Sequence, residues 1–285
     1  MGVKTFGVGS MAYVFPGAGA LDYFPCHYGN SRLLFRGPRR DIERAYVAVL
    51  GGTETYGKFV PDPFPDLIEQ ELGLPVANLG CINAGPDVFL NEQAVTTVAA
   101  QACVTVVQVL GAQNLSNRYY AVHPRRNDRF LRATPLLRHI FPRVDFTEFN
   151  FTRHMLMALQ RASPDRFEVV AEELRAAWVA RMTLLLSRLP GKVILLWMSD
   201  TPPPPPTRRA DLAQNPMLVD TEMVAAVRGT KTAYVEAVIS PAALSQGIDG
   251  MAFAPMEAPA AAGLPGPAAH REVADLLLPM IHKLL

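Results

Sequence analysis

Nowhere does the chain carry an uninterrupted apolar run of the kind a helix needs to cross a bilayer, which takes about 18 residues or more. Its opening, MGVKTFGVGSMAYVFPGAGALDYF, lacks the basic start and continuous apolar stretch of a secretory leader. The expectation is a soluble, cytoplasmic protein without a membrane partner. An excess of one charge is missing too. Lys and Arg number 27 against 26 Asp and Glu, a net charge of +1, so no global field favours nucleic acid. Cysteine is scarce: Cys26, Cys81 and Cys103 form neither a CxxC pair nor a zinc spacing and read as buried, reduced thiols, with no metal and no cofactor expected. No internal repeat is visible at roughly 20 to 50 residues.

What the chain does have is apolar substance. Of its 285 residues 49% are hydrophobic and 19% charged, enough for one large core. The stretch from Ala45 to Gly57, AYVAVLGGTETYG, sets the pattern. Tyr46 to Leu50 is a continuous β-branched and apolar run, as in a strand covered on both faces of a parallel sheet, and Gly51-Gly52 breaks it. Pro63 to Leu72 reads as a helix, with proline in its first turn and Gly73 past its end. Pro75 to Leu79 is a second strand, PDVFLNEQAVTTVAAQA a helical run, and Val104 to Leu110 a third strand. A long helix from Asp165 to Leu189 leads to a fourth strand, Lys192 to Trp197. Beyond five consecutive prolines, Thr221 to Arg228 reads as helix, Lys231 to Ile239 as a fifth strand and Pro267 to Leu285 as a closing amphipathic helix. Alternating strands and helices predict an α/β fold, a three-layer α/β/α sandwich on a five-stranded, mainly parallel sheet.

Two segments fall outside that alternation. Residues 1–43 carry Tyr13, Phe15, Tyr23, Phe24, Tyr28 and Phe35, costly to leave in water, and are expected to form an arm packed on a domain of residues 44–285. Residues 115–165, after the third strand, form an unusually long connection, expected to be a helical cap. Its nine arginines outnumber its four acids, and guanidinium suits planar capture of carboxylate, sulfate or phosphate.

The loops at the strand ends carry a resemblance. GGTETYG, residues 51–57, has the spacing of the GDSxxxG block of the SGNH (GDSL-type) hydrolases, with Gly52 on the aspartate and Thr53 on the nucleophilic serine. NLGCINAG, residues 78–85, resembles their second block, and GAQN, residues 111–114, stands where they have GxND. The sequence is also similar to an uncharacterised bacterial family of unknown function. The resemblance implies the flavodoxin-like SGNH sandwich and a site at the carboxyl edge of the sheet. It also exposes a departure. Aligning residues 264–277 on the family's DxxHPxxxGH segment puts His270 on its second histidine, while Leu264 and Ala261 take the places of the catalytic His and Asp. The usual triad is absent; with a gap, Asp249 or Glu257 could supply an acid and His270 a base.

The candidates follow. Thr53 and His270 are the catalytic pair if chemistry survives. Gly52, Glu54, Tyr56 and Lys58 flank the first turn; Gly80, Asn83 and Gly85 form the second loop, where a glycine N–H would hold an oxyanion. Gln113 and Asn114 form the third, and Arg118, His123, Arg125 and Arg126 are candidates to hang over the same edge. The favoured expectation is a protein binding a small anionic or carbohydrate-like ligand under an Arg-rich cap, or carrying out non-classical chemistry there. One alternative is an ester hydrolase or acyl-type transferase using Thr53 with a displaced base, His270 or His123. Another is a noncatalytic assembly subunit. The aromatic arm and the Phe-rich insertion predict a homo-oligomer.

Overall fold

A computed structural model describes residues 19–285 apart from 208, 230 and 231. Five strands make one sheet, all parallel: β1 (Val47–Gly51), β2 (Val76–Gly80), β3 (Val104–Gln108), β6 (Lys192–Ser199) and β7 (Thr232–Val238). Their order is β2-β1-β3-β6-β7. In chain order that is the flavodoxin-like 2-1-3-4-5 arrangement, in which ligands sit beyond the carboxyl ends of the strands. The first three strands are buried along their whole length, as their unbroken apolar runs require.

Alternation along each strand feeds two cores. Val47, Val49, Val104, Val106, Ile194 and Leu196 face one layer, covered by α2 (Phe64–Leu72) and the last helix, α11 (Pro267–Leu284). Ala48, Leu50, Leu195 and Trp197 face the other, where α3 (Pro86–Leu90), α4 (Gln93–Gln101) and α7 (Pro164–Ser187) lie. Trp178 of α7 fixes that layer by donating its indole N–H to Leu110 O at 2.7 Å. Short helices α1 (Thr53–Tyr56), α8 (Thr221–Val227), α9 (Pro241–Ser245) and α10 (Ala258–Ala261) complete the loops. The run expected as one helix over residues 86–102 is two, because Asn91 closes α3. Glu92, at the break, accepts from Ser31 Oγ and Arg32 N–H, fastening residues 31–32 to it.

The insertion corrects the expectation of a helical cap. It opens as an antiparallel hairpin, β4 (Tyr120–His123) with β5 (Arg126–Ala133), before α5 (Pro135–Ile140) and α6 (Thr152–Ala162). Tyr120, Val122 and Phe130 are buried and supply the β-forming face among the arginines. Of the first 43 residues, Tyr28, Leu33 and Phe35 join the core; Tyr13 and Phe15 lie outside the described residues. Cys81 is buried, its thiol pushed up to about 12 by burial. Cys26 is half-buried and Cys103 exposed, so the expectation of three buried thiols holds only for Cys81. Among the described residues no helix is long and apolar enough to cross a membrane.

Candidate functional site

The three loop blocks meet where β1, β2 and β3 end. Glycine is required there because α1 leans directly on the strand ends. A Cβ on Gly51 would lie 1.9 Å from Thr55 Oγ1, and one on Gly80 2.3 Å from Tyr56 N. The turn is held from below by Gln108, the last residue of β3, which is 3% exposed. Its Oε1 accepts from Gly52 N–H at 2.9 Å and from the Thr55 hydroxyl at 2.6 Å, and its Nε2 donates to Glu54 Oε2 at 3.0 Å. Asn78 of β2 donates to Thr55 O at 2.8 Å. Gly52 and Glu54, candidates for ligand contact, are therefore engaged inside the turn. Gln108 and Asn78 were not among the candidates; each shows in sequence as an amide inside an apolar strand.

Thr53 is 8% exposed. Its Oγ1 accepts the Asn83 backbone N–H at 2.9 Å and donates to Asn83 Oδ1 at 3.3 Å. Among the described residues it has no bond to a histidine or a carboxylate, the partners that make a hydroxyl nucleophilic. The oxyanion candidates are spent as well. Gly80 N–H donates to Asn78 Oδ1 at 2.9 Å and Gly85 N–H to Asn127 Oδ1 at 3.1 Å. Asn127, 1% exposed, also accepts from Val88 N–H and donates to His123 O, bolting the hairpin to the second loop.

His270 is corrected as a base. It lies one turn into α11, 1% exposed, on the apolar stripe with Val273, Ala274 and Leu277. Its Nδ1 accepts the Phe64 N–H at 3.1 Å and its ring stacks on Phe64. Burial pushes its pKa down to about 3, with the Arg36 charge adding to the shift, so it is neutral at pH 7. Leu264 and Ala261 bring no acid or base to the turn.

The remaining candidates divide. Tyr56 packs on Tyr23 at 5.2 Å between ring centres, burial pushing its hydroxyl up to about 12, and Lys58 lies over the Phe59 ring at 4.4 Å. Arg118 is not over the edge: it is exposed and ion-paired with Glu173 of α7. Arg125 and Arg126 are exposed at the hairpin turn, where Arg125 N–H donates to His123 Nδ1 at 3.3 Å.

Asn83, Gln113 and Asn114 do come together, on one side of a cleft of roughly 430 Å³. Asn83 occupies the left-handed region, with φ of 54°, which asparagine tolerates better than most residues. Its carbonyl accepts from Asn114 Nδ2 at 3.0 Å, and Asn114 Oδ1 accepts the Thr152 hydroxyl at 2.6 Å. The Asn83 Nδ2 reaches Asp128 Oδ2 at 3.4 Å. Across the cleft stand Phe151, Arg153 and His154. The Arg129 guanidinium lies over the Phe151 ring at 4.1 Å. Gln113 Oε1 is buried without a hydrogen-bond partner among the described residues. Phe151, Arg153, His154 and Asp128 were not among the candidates. Only their place in an over-long connection pointed to them.

The parallel 2-1-3-4-5 sheet, with its glycine, asparagine and GAQN loops gathered at the carboxyl edge, makes this a flavodoxin-like α/β protein. The chain belongs to the family described as a domain of unknown function, DUF6473, which matches residues 11–285. No curated protein matches it. Among solved structures it is similar to a family 2 carbohydrate esterase with a carbohydrate-binding domain from Corynascus thermopiles (Myceliophthora fergusii), at 12% identity and a TM-score of 0.45 over 87% of this chain and 68% of that one. It is also similar to a family two carbohydrate esterase from Clostridium thermocellum in complex with cellohexaose, at 11% identity and a TM-score of 0.44 over 88% and 67%. A third is the lipase/acylhydrolase from Enterococcus faecalis, at 12% and 0.33 over 81% and 96%. At such values no residue role passes from them to this chain.

Proposed function

We propose that this protein is a noncatalytic SGNH-like binder that holds a small carbohydrate-like ligand, a sugar or sugar acid, in the cleft between the Asn83 loop and α6. The observation that carries the reading is the state of Thr53. Its hydroxyl is spent in both directions on Asn83 and meets no base, whereas the neighbouring cleft keeps polar groups for a guest. The Gln113 amide nitrogen and the Asp128 carboxylate suit sugar hydroxyls. Phe151, 42% exposed, offers an aromatic surface to the C–H face of a sugar ring, and Arg153 offers a cation to a carboxylate-bearing one. Apolar surface with a few convergent polar groups is the usual make-up of a ligand site.

Calorimetric titration with glucose, galactose, glucuronate and galacturonate tests the reading, alongside an assay of p-nitrophenyl acetate turnover. Expected are saturable binding of at least one sugar, weakened in Asp128→Asn and Phe151→Ala, and no turnover above buffer. Hydrolysis that disappears in Thr53→Ala would overturn it in favour of an ester hydrolase. Silence toward all four sugars would favour an assembly subunit.

A further inference from the structure

A second cleft, roughly 620 Å³, opens beyond the carboxyl end of β6, one strand across the sheet from β3. It is separate from the Asn83 cleft, with which it shares no lining residue. One wall is the proline run Pro202–Pro205. Proline has no N–H, so that wall offers ring C–H surface and carbonyl acceptors and nothing that would hold an anion.

The charges are arranged by sign. Arg175, projecting from the middle of α7, is half-buried and lines the cleft. Among the described residues it has neither a hydrogen bond nor a carboxylate within 4.0 Å. Asp200, Asp211 and Asp220 line the same cleft. One oxygen of Asp211 is fixed by Ala213 N–H at 2.8 Å and one of Asp220 by Met223 N–H at 2.9 Å, while Asp200 Oδ1 lies 3.2 Å from the Ser199 hydroxyl, whose proton has a nearer acceptor in Asn215 O at 2.5 Å. The second oxygen of each has no hydrogen bond among the described residues. A half-buried cation and several carboxylates thus share one cavity without closing on one another. Burying charge without a partner is unfavourable, which bears on the half-buried Arg175 and the buried Asp220, while Asp200 and Asp211 are exposed at the mouth; a guest carrying both signs would supply partners to both sides at once.

We infer that this cleft is a binding site for a small zwitterion of the α-amino acid or dipeptide class. The ligand's carboxylate pairs with Arg175, in the planar geometry that guanidinium favours. Its ammonium group is received by Asp200 and Asp211, and its side chain lies along the proline wall. The volume falls within the range of small-molecule sites, roughly 300 to 1,000 Å³. The inference stands apart from the sugar reading, since the two clefts share no charged group.

The test is calorimetric titration of the full chain with the twenty proteinogenic L-amino acids and a matched set of glycyl dipeptides. At least one should saturate a single site. For that compound, the decarboxylated amine and the N-acetylated acid should each bind at least about tenfold more weakly, since each loses a charged hydrogen-bonding group. Arg175→Gln should weaken binding by roughly ten- to a hundredfold. Asp211→Asn, an exposed substitution whose circular dichroism should match that of the parent, should weaken the zwitterion and the amine alike while sparing the N-acetylated acid. Failure of the whole set to bind would overturn the inference. So would a binder indifferent to both substitutions.

Discussion

Thr53 Oγ1 accepts the backbone N–H of Asn83 at 2.9 Å and returns its own proton to Asn83 Oδ1 at 3.3 Å. This closed exchange makes Thr53 the support of a loop whose turn residue has φ of 54°. Thr53→Ala would leave a part-buried N–H without its partner, and an unmet donor of that kind costs about 1–2 kcal/mol. Urea denaturation should show that loss, and Thr53→Ser should recover most of it. If the alanine variant unfolds at the same urea concentration as the parent, the hydroxyl is not holding the loop.

Gln108 does for the first loop what Thr53 does for the second. It satisfies Gly52 N–H, the Thr55 hydroxyl and Glu54 with one buried amide. Gln108→Leu keeps the volume and strands two donors, a loss of about 2–4 kcal/mol. Gln108→Glu is expected to be worse at pH 7, because a second carboxylate would face Glu54. It should recover on acidification, since a buried carboxyl beside another has its pKa raised and its cost is lifted as it protonates. Equal stability of the Glu variant at pH 5 and pH 7 would contradict that account.

The contrast between these residues explains what could be read from the chain. Continuous runs such as VAVLG and VTVVQ fix parallel, doubly covered strands, and alternation with helices fixes the layers, because both follow from local periodicity. The hairpin was missed because arginines and Asn127 interrupt its pattern, while Tyr120, Val122 and Phe130 bury themselves only against the rest of the insertion. The three loop blocks were legible as places. What each group does there was not, since the Asn83 N–H reaches Thr53 across 30 positions of chain. His270 is different. Its spacing from Val273, Ala274 and Leu277 puts it on the buried stripe of the last helix, and a structural hydrogen-bonding histidine is the reading its position favours over the base that the family alignment implies.

Asn127 gives a local test of the insertion. Its side chain accepts from Gly85 and Val88 N–H and donates to His123 and Pro124 carbonyls. Asn127→Ala should free the hairpin turn before the sheet unfolds, so amide exchange should accelerate over residues 120–133 and stay unchanged in β1 and β3. Uniform acceleration across the chain would mean that the hairpin is not a separate unit of opening.

A buried histidine and a half-buried carboxyl set opposing slopes in the dependence of stability on pH. His270 is neutral in the fold, with its pKa lowered from 6.5 to about 3. The unfolded chain therefore binds a proton there that the folded one refuses. Its contribution is complete above pH 6.5 and is lost as pH falls toward 3, with a ceiling on the order of 4–5 kcal/mol at 1.36 kcal/mol per unit. Asp66 runs the other way. Burial raises its carboxyl from 3.8 to about 6, against the pull of Arg36 and Arg40, so between those values the folded chain holds a proton that the unfolded one has released. Stability from Asp66 is complete below pH 3.8 and is lost as pH rises through 6. Between pH 4 and 6 the two slopes partly cancel. Urea midpoints at pH 4, 5, 6 and 7 should separate them. His270→Phe removes the rise with pH and leaves the Phe64 N–H unpaired, so that variant is weaker overall and loses stability as pH climbs from 4 to 6. Asp66→Asn removes the fall and should steepen the rise. A His270→Phe profile parallel to that of the parent would show that the histidine takes up its proton alike in the folded and the unfolded chain, and with it that the Phe64 contact does not hold Nδ1 unprotonated.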